Sequence, residues 1–174
     1  MSGIVITPYS EDWPELFHLV REELLTVFAP VNVSIEHVGS TSVPGLAAKP
    51  VIDALLGAGS LADIESRIEP LNRLGYTYVS KYEQSLPMRR YFVKAPATSP
   101  RIHLHAVEHG SRFWQDHVTF RDLLRKDPGL RSRYQSLKLH LACQHAHDKS
   151  AYTAAKAPFI QAALATATGT GNAA

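Results

Sequence analysis

The sequence predicts an α+β domain in which a mixed β-sheet is flanked by helices and followed by a helical C-terminal third. Three observations support this class. An amphipathic helical pattern opens the chain, short apolar or alternating segments follow with one helical segment among them, and helical periodicity alone continues after Gly110-Ser111. The length of 174 residues suits one domain. We place it at residues 1–165, with a disordered tail at 166–174.

Local patterns set the expected elements. Apolar residues at helical spacing predict a helix over residues 11–29, which Ala29-Pro30 ends. Ser60 and Asp63 resemble a capping box for a helix to about Leu74. The other predicted elements are strands at 4–7, 33–38, 51–56, 76–79, 89–94 and 102–107, and helices at 112–126, about 130–146 and about 149–165, with a kink or restart at Pro158.

Composition excludes several classes of protein. With 45% hydrophobic and 20% charged residues, the chain is neither disordered in bulk nor membrane-spanning. The lone Cys143 and the absence of a secretory signal at the start lead us to expect a reducing cytoplasm. Scattered basic residues and a net charge of +2 argue against a nucleic-acid partner and against a membrane partner. The sequence leaves the oligomeric state open.

A corner after the second predicted strand is the strongest candidate site. Gly39 allows close approach of a ligand, and free N–H groups with the hydroxyls of Ser40 and Thr41 suit an anion such as phosphate. Lys49 adds a positive charge. Asp53 lies inside an otherwise apolar strand, where a carboxylate is costly unless it is paired or bound to a cation. The alternative is that Ser40 caps a helix and Asp53 ends its strand in solvent.

Two histidines share one face of a later strand. His103 and His105 alternate with apolar residues, so both imidazoles project from the same surface and are able to share a ligand. His145 and His147 have the same spacing near a helix end, where their rings should diverge. The His-x-His spacing is therefore a weak signal by itself. The alternative for His103 and His105 is a solvated histidine face.

Further charged residues have less decided roles. Glu36 and His37 face opposite sides of their strand; we assign Glu36 to the pocket as a base or second charge, and His37 to the core. Alternation allows one of Arg89 and Arg90 to face the site and clamp phosphate, without choosing between them. We expect a core stripe at Phe113, His117, Phe120 and Leu124 and a solvated or salt-bridged face at Arg121, Asp122 and Arg125. Lys138 and Lys156 are expected at the surface, with contact to a phosphate as the alternative.

Residues 36–53 combine Glu-His-Val-Gly-Ser-Thr with later Gly-Leu, Lys-Pro and Asp, and this stretch resembles the signature of the GrpB family, a branch of the nucleotidyltransferase superfamily. The resemblance runs from about Pro8 to Ile160. It implies a nucleotidyltransferase-like fold in which Gly39 and Ser40 contact nucleotide phosphates and Asp53 binds a metal ion. The second metal-binding carboxylate of the superfamily falls on Leu55, which cannot ligate, and the strand that carries the third has His103 and His105 instead.

The resemblance and the residues leave three functions open. The first is nucleotidyl transfer from a nucleoside triphosphate, expected to be ATP, to a small acceptor, with Mg²⁺ at Asp53. The second is binding of a nucleotide or another phosphorylated ligand without catalysis, which Leu55 favours. The third is a mononuclear metalloenzyme in which Asp53, His103 and His105 hold a softer ion such as Zn²⁺.

Overall fold

The computed structural model describes residues 3–169 and confirms the predicted fold class. One five-stranded mixed sheet has the strand order β1-β2-β5-β4-β3. Strands β2 and β5 are parallel, and the other neighbouring pairs are antiparallel. The strands are β1 Ser34–Val38, β2 Val51–Ala58, β3 Thr77–Tyr78, β4 Arg89–Lys94 and β5 Arg101–Glu108.

Seven helices accompany the sheet in the described part of the chain. They are α1 Trp13–Phe28, α2 Leu61–Glu65, α3 Ile68–Arg73, α4 Arg112–Lys126, α5 Pro128–Gln144, α6 Lys149–Ala155 and α7 Ala157–Gly169. A short 3₁₀ turn, Ser40–Ser42, follows β1, and another, Ser80–Tyr82, follows β3. No helix in residues 3–169 has the length and apolarity needed to cross a bilayer.

Several boundaries differ from the predicted ones. The predicted first strand is reduced to one bridge between Thr7 and Ala48. The helix expected from Ser60 to Leu74 is two short helices, although Ser60 does cap the first by accepting from the backbone N–H of Asp63. The last helix restarts at Ala157, beside Pro158, and continues to Gly169. Residues 170–174 lie outside the described residues, so the tail there stays a prediction.

The two faces of the sheet are covered differently. Helices α1, α2 and α3 pack on one face over the main core, which includes Leu24, Phe28 and Phe92. On the other face, Trp114 of α4 packs against Val38, Leu55 and Val107. Strand β2 continues through Gly57 to Ala58, beyond the predicted end at residue 56. A Cβ at Gly57 would lie only 2.8 Å from the Trp114 ring, so glycine allows this close packing. This second face also carries the candidate site.

Leu55 provides a test of this packing. Its side chain is fully buried against Trp114, so Leu55→Ala should lower the free energy of unfolding by about 2–5 kcal/mol through lost burial and the cavity left behind. Leu19→Ala is the control, because Leu19 is 59% exposed and should change stability by less than about 0.5 kcal/mol. Urea unfolding measures both. Equal losses would contradict the packing of α4 on this face.

Candidate functional site

Asp53 lies at the centre of the candidate site. Its Cα is in register with Val38 of β1 and His103 of β5, so these residues project from one face of the sheet. The Asp53 Oδ1 atom lies 3.5 Å from His103 Nδ1 and 3.4 Å from His105 Nε2. About a quarter of the Asp53 side chain is exposed, which leaves one side open to a ligand.

The two imidazoles offset the cost of placing a carboxylate in the sheet. Burial alone would raise the pKa of Asp53, but hydrogen bonds from His103 and His105 reverse the effect and hold this pKa well below its ordinary value. Burial lowers the pKa of His105, and the neighbouring Asp53 partly opposes that shift. Asp53 is therefore ionised in the free protein.

Gly39 brings the corner after β1 against this carboxylate. Its backbone has φ 72° and ψ −178°, a conformation that is essentially restricted to glycine. A Cβ at Gly39 would overlap the carboxylate of Asp53, with its Cγ at 3.0 Å. Ser40 follows directly and starts the 3₁₀ turn. The predicted Gly39–Ser40 corner and the predicted carboxylate of Asp53 thus lie side by side.

Thr41 stabilises the corner from within. It is buried, and its hydroxyl donates to the Val51 carbonyl at 2.9 Å and lies 3.1 Å from His37 Nε2. The expectation that this hydroxyl binds phosphate is therefore not supported by its position, because it is turned into the fold. His37 belongs to the core, as expected: its ring stacks on Phe17 with centroids 4.6 Å apart, and burial lowers its pKa to about 4.

Three lysines converge on the corner from different elements, and we call Lys49, Lys138 and Lys156 the lysine cluster. Lys138 of α5 donates to Ser40 Oγ at 2.9 Å and also to the Ala47 carbonyl. The ammonium groups of Lys49 and Lys156 lie 4.8 Å and 4.7 Å from the centroid of the Tyr152 ring. Within residues 3–169 none of these lysines forms an ion pair with a carboxylate.

The lysine cluster carries mutually repelling, partly desolvated charges. Burial, followed by repulsion from Lys156 and Lys49, lowers the pKa of Lys138 to about 7. Burial and Lys49 lower the pKa of Lys156 to about 8, which Asp53 partly opposes. Burial also lowers the pKa of Lys49. An anion placed among these ammonium groups would relieve their repulsion.

The predicted surface position of Lys138 is wrong. Only 3% of the residue is exposed, and it lies on the buried stripe of α5 between Tyr134 and Leu141. The spacing of these three residues, i, i+4 and i+7, was the available signal, because a lysine within an otherwise buried helical stripe needs a partner. Lys156 is also half-buried.

Glu36, which we expected to act as a base or a second charge in the pocket, has one carboxylate oxygen engaged in an ion pair. It does lie on the same face as Asp53, but its Oε2 accepts from the Arg121 guanidinium at 2.6 Å. Arg121 is 8% exposed and also donates to the His37 carbonyl at 3.0 Å. This ion pair fastens α4 to β1, so Glu36 contributes to the packing beside the site.

The structure distinguishes the two adjacent arginines. Arg89 lies on the site face, where one guanidinium nitrogen is 3.2 Å from His105 Nδ1. Arg90 lies on the opposite face and forms an ion pair with Glu65 at 2.7 Å. The expectation that Arg90 binds phosphate is therefore not supported by its position, because its side chain is engaged on the far side of the sheet.

Asp53, His103 and His105 also form the one group in residues 3–169 that offers three clustered metal ligands, with the ligand atoms all within 4.8 Å of one another. His145 and His147 lie apart, beside a surface cavity at the end of α5. This second pair of histidines is thus separate from the candidate site.

The arrangement of strands and helices is similar to the fold of nucleotidyltransferases. The Cid1 poly(U) polymerase with Mg 3′-dATP bound superposes with a TM-score of 0.57 at 12% identity, covering 86% of this chain and 49% of that chain. At this identity the likeness shows the fold alone.

The chain belongs to the GrpB family, whose model, described as GrpB protein, matches residues 3–166. It is similar to the crystal structure of conserved protein GrpB from Enterococcus faecalis, with a TM-score of 0.82, 32% identity, and coverage of 91% of this chain and 94% of that chain.

Curated relatives support the same family. The glutamate-rich protein GrpB of Alkalihalophilus pseudofirmus is 33% identical over 92% of this chain and 94% of its own length. The UPF0157 protein YqkA of Bacillus subtilis is 37% identical over 92% of this chain but 46% of its own length. The chain therefore spans about half the length of YqkA.

Gly39→Ala tests the contact between the corner and Asp53. The substitution should lower the free energy of unfolding by the roughly 1–3 kcal/mol of a positive φ, plus the cost of displacing the carboxylate. Gly45→Ala is a matched control, since Gly45 has φ +78° and no atom lies within 4 Å of the place that its Cβ would take. Thermal unfolding measures both variants. A loss no larger for Gly39→Ala than for Gly45→Ala would contradict the contact.

Proposed function

We propose that the protein binds a nucleoside triphosphate with one divalent cation and transfers its nucleotidyl group to a small acceptor. The observation that carries the proposal is that the lysine cluster lies at the Gly39–Ser40 corner, and that this corner lies against Asp53. A polyphosphate chain suits this place, because it offers several negative charges to lysines that have no carboxylate partner among residues 3–169.

The cation site fits Mg²⁺ through Asp53. Its Oδ2 receives no hydrogen bond from residues 3–169, since both imidazole contacts go to Oδ1. Magnesium is commonly bound by one or two carboxylates together with substrate phosphates and water. When bound, the cation would neutralise charge on the phosphates and on the leaving group.

The transfer step requires one bond to form and one to break. The acceptor oxygen forms a bond to the α-phosphorus, the bond from that phosphorus to the bridging oxygen breaks, and pyrophosphate leaves with the electron pair. The acceptor proton passes to a base. We assign this role to His103 in place of Glu36, because His103 lies beside Asp53, whereas Arg121 engages Glu36.

Binding without catalysis is the second candidate function, and Leu55 favours it. The resemblance to nucleotidyltransferases assigns a second metal-binding carboxylate to this position, yet Leu55 is fully buried against Trp114. A protein with leucine here retains a phosphate site at Ser40 while lacking a ligand of a two-metal centre.

The donor and the compartment complete the proposal. We take ATP as the donor and the cytoplasm as the location. A single cysteine, Cys143, which is exposed and free, accords with a reducing compartment.

Calorimetry with ATP tests the binding part of the proposal. Wild-type protein should bind ATP more tightly with Mg²⁺ than without it, and Asp53→Asn should remove that difference. Lys138→Met should weaken binding by about tenfold or more in both conditions, because a charge-assisted contact is worth about 1.5–3 kcal/mol. Lys126→Met, at an exposed position of α4, serves as the control.

Two outcomes separate the candidate functions. If no nucleoside triphosphate binds, nucleotidyl transfer is contradicted, and binding without catalysis remains only for another phosphorylated ligand. Binding without pyrophosphate release across a panel of small hydroxyl and amine acceptors would leave the non-catalytic candidate and exclude transfer to the acceptors tested.

Proton uptake provides an independent check on the lysine cluster. At pH 8, Lys138 with a pKa of about 7 is mostly neutral, and an adjacent phosphate should raise its pKa and protonate it. ATP binding should therefore take up protons at pH 8, as measured by calorimetry in buffers with different ionisation enthalpies. Lys138→Met should reduce the uptake, whereas Lys126→Met should not. An unchanged uptake in Lys138→Met would rule out Lys138 as its source.

A further inference from the structure

Arg89 occupies an unusual position next to the site. Its guanidinium carbon lies 4.7, 5.7 and 5.9 Å from the ring centroids of Tyr91, Tyr82 and Phe113. Within residues 3–169 no carboxylate forms an ion pair with it, and its Nε is buried without a hydrogen-bond partner. Its one hydrogen-bonding contact with another side chain of these residues is to His105, where the guanidinium nitrogen is 3.2 Å from Nδ1.

This contact determines which ring nitrogen of His105 carries the proton. A guanidinium is a donor only, so His105 Nδ1 has to be the acceptor. In a neutral imidazole the other nitrogen then carries the hydrogen. That nitrogen, Nε2, faces Asp53 Oδ1 at 3.4 Å and donates to it. Arg89, His105 and Asp53 thus form a directed chain of hydrogen bonds.

We infer that Arg89 is a positioning residue, which fixes His105 as a hydrogen-bond donor to Asp53 and so prevents His105 from acting as a metal ligand. A ligating histidine needs a free lone pair toward the metal, and its other nitrogen usually donates to a carboxylate, a carbonyl or water. At His105 the second nitrogen meets a donor instead. The chain of hydrogen bonds therefore disfavours a centre of two histidines and one carboxylate.

The same chain of hydrogen bonds orients the carboxylate. Because His105 and His103 both contact Oδ1, the free oxygen Oδ2 is the one that lies toward Gly39. A cation bound there would take an oxygen ligand from Asp53 and its further oxygen ligands from phosphates and water, a set that favours a hard ion such as Mg²⁺ over Zn²⁺. This selection rests on the proposed function, whereas the tautomer of His105 does not.

The tautomer is directly measurable in the intact protein. Long-range ¹H–¹⁵N correlation spectra of histidine-labelled protein should show His105 with hydrogen on Nε2 and a lone pair on Nδ1. Assignment uses His105→Gln as the missing-signal reference. A lone pair on Nε2 in the wild-type protein would overturn the inference.

Variants of the adjacent arginines separate positioning from general structural effects. Arg89→Met should release the tautomer, so that His105 gives signals of both forms. Arg89→Lys keeps a donor and should restore the Nε2–H form. Arg90→Met is the matched neighbour on the opposite face, and it should leave the His105 signals unchanged. A wild-type spectrum in Arg89→Met would contradict the role of Arg89.

Zinc binding provides the second readout. Zn²⁺ titrated alone into wild-type protein should leave the hydrogen on His105 Nε2. Arg89→Met should bind Zn²⁺ about tenfold or more tightly than wild type, on the scale at which groups behind a ligand affect metal affinity. Displacement of that hydrogen by Zn²⁺ in wild-type protein, or equal affinities in the two proteins, would overturn the inference.

Failure of this inference is distinguishable from failure of the proposed function. Mg²⁺-dependent ATP binding with hydrogen on His105 Nδ1 would refute the tautomer and retain the function. Absence of ATP binding with hydrogen on Nε2 would support the role of Arg89 and refute the function.

Discussion

The site depends on one electrostatic constraint, which is a carboxylate held within an apolar sheet. Ile52 and Ala54, the neighbours of Asp53 along β2, are almost completely buried on the other face. A carboxylate in this place is expensive unless hydrogen bonds and nearby positive charge compensate for its lost hydration. His103 and His105 supply the hydrogen bonds. Because both imidazoles contact Oδ1, these hydrogen bonds engage only one carboxylate oxygen. The other oxygen of Asp53, Oδ2, lies on the side of Gly39.

The C-terminal helices place positive charge around this carboxylate. Arg121 joins α4 to β1 through Glu36 and the His37 carbonyl, and Arg125 donates to the Ser42 carbonyl at 2.9 and 2.7 Å. With α4 anchored at these points, α5 brings Lys138 to the corner, and the end of α6 brings Lys156. The helical third therefore does more than cover the sheet, since it supplies two of the three lysines of the lysine cluster.

Prediction from sequence succeeded where a local pattern determines the structure. Alternation placed His103 and His105 on one face of β5, and the strand predicted at residues 89–94 has the bounds of β4. Prediction failed where contacts between residues distant in sequence determine the structure. The passage of β2 through Gly57 brings the strand against Trp114, which is distant in sequence. Pairing of Glu36 with Arg121 likewise joins residues 85 positions apart, which no local pattern reveals. The break between α2 and α3 has no explanation in the contacts of these helices.

Leu55 shows how far the structure constrains the chemistry. Its side chain fills the space beneath Trp114 together with Val38 and Val107, so a carboxylate at this position would be buried in an apolar cluster. The packing that holds α4 on the sheet is thus incompatible with a second acidic ligand there. With no second carboxylate, a hard cation at Asp53 would complete its coordination from phosphates and water, as Mg²⁺ commonly does. Binding of the cation and of a polyphosphate should accordingly be cooperative, because each provides ligands or charge that the other lacks.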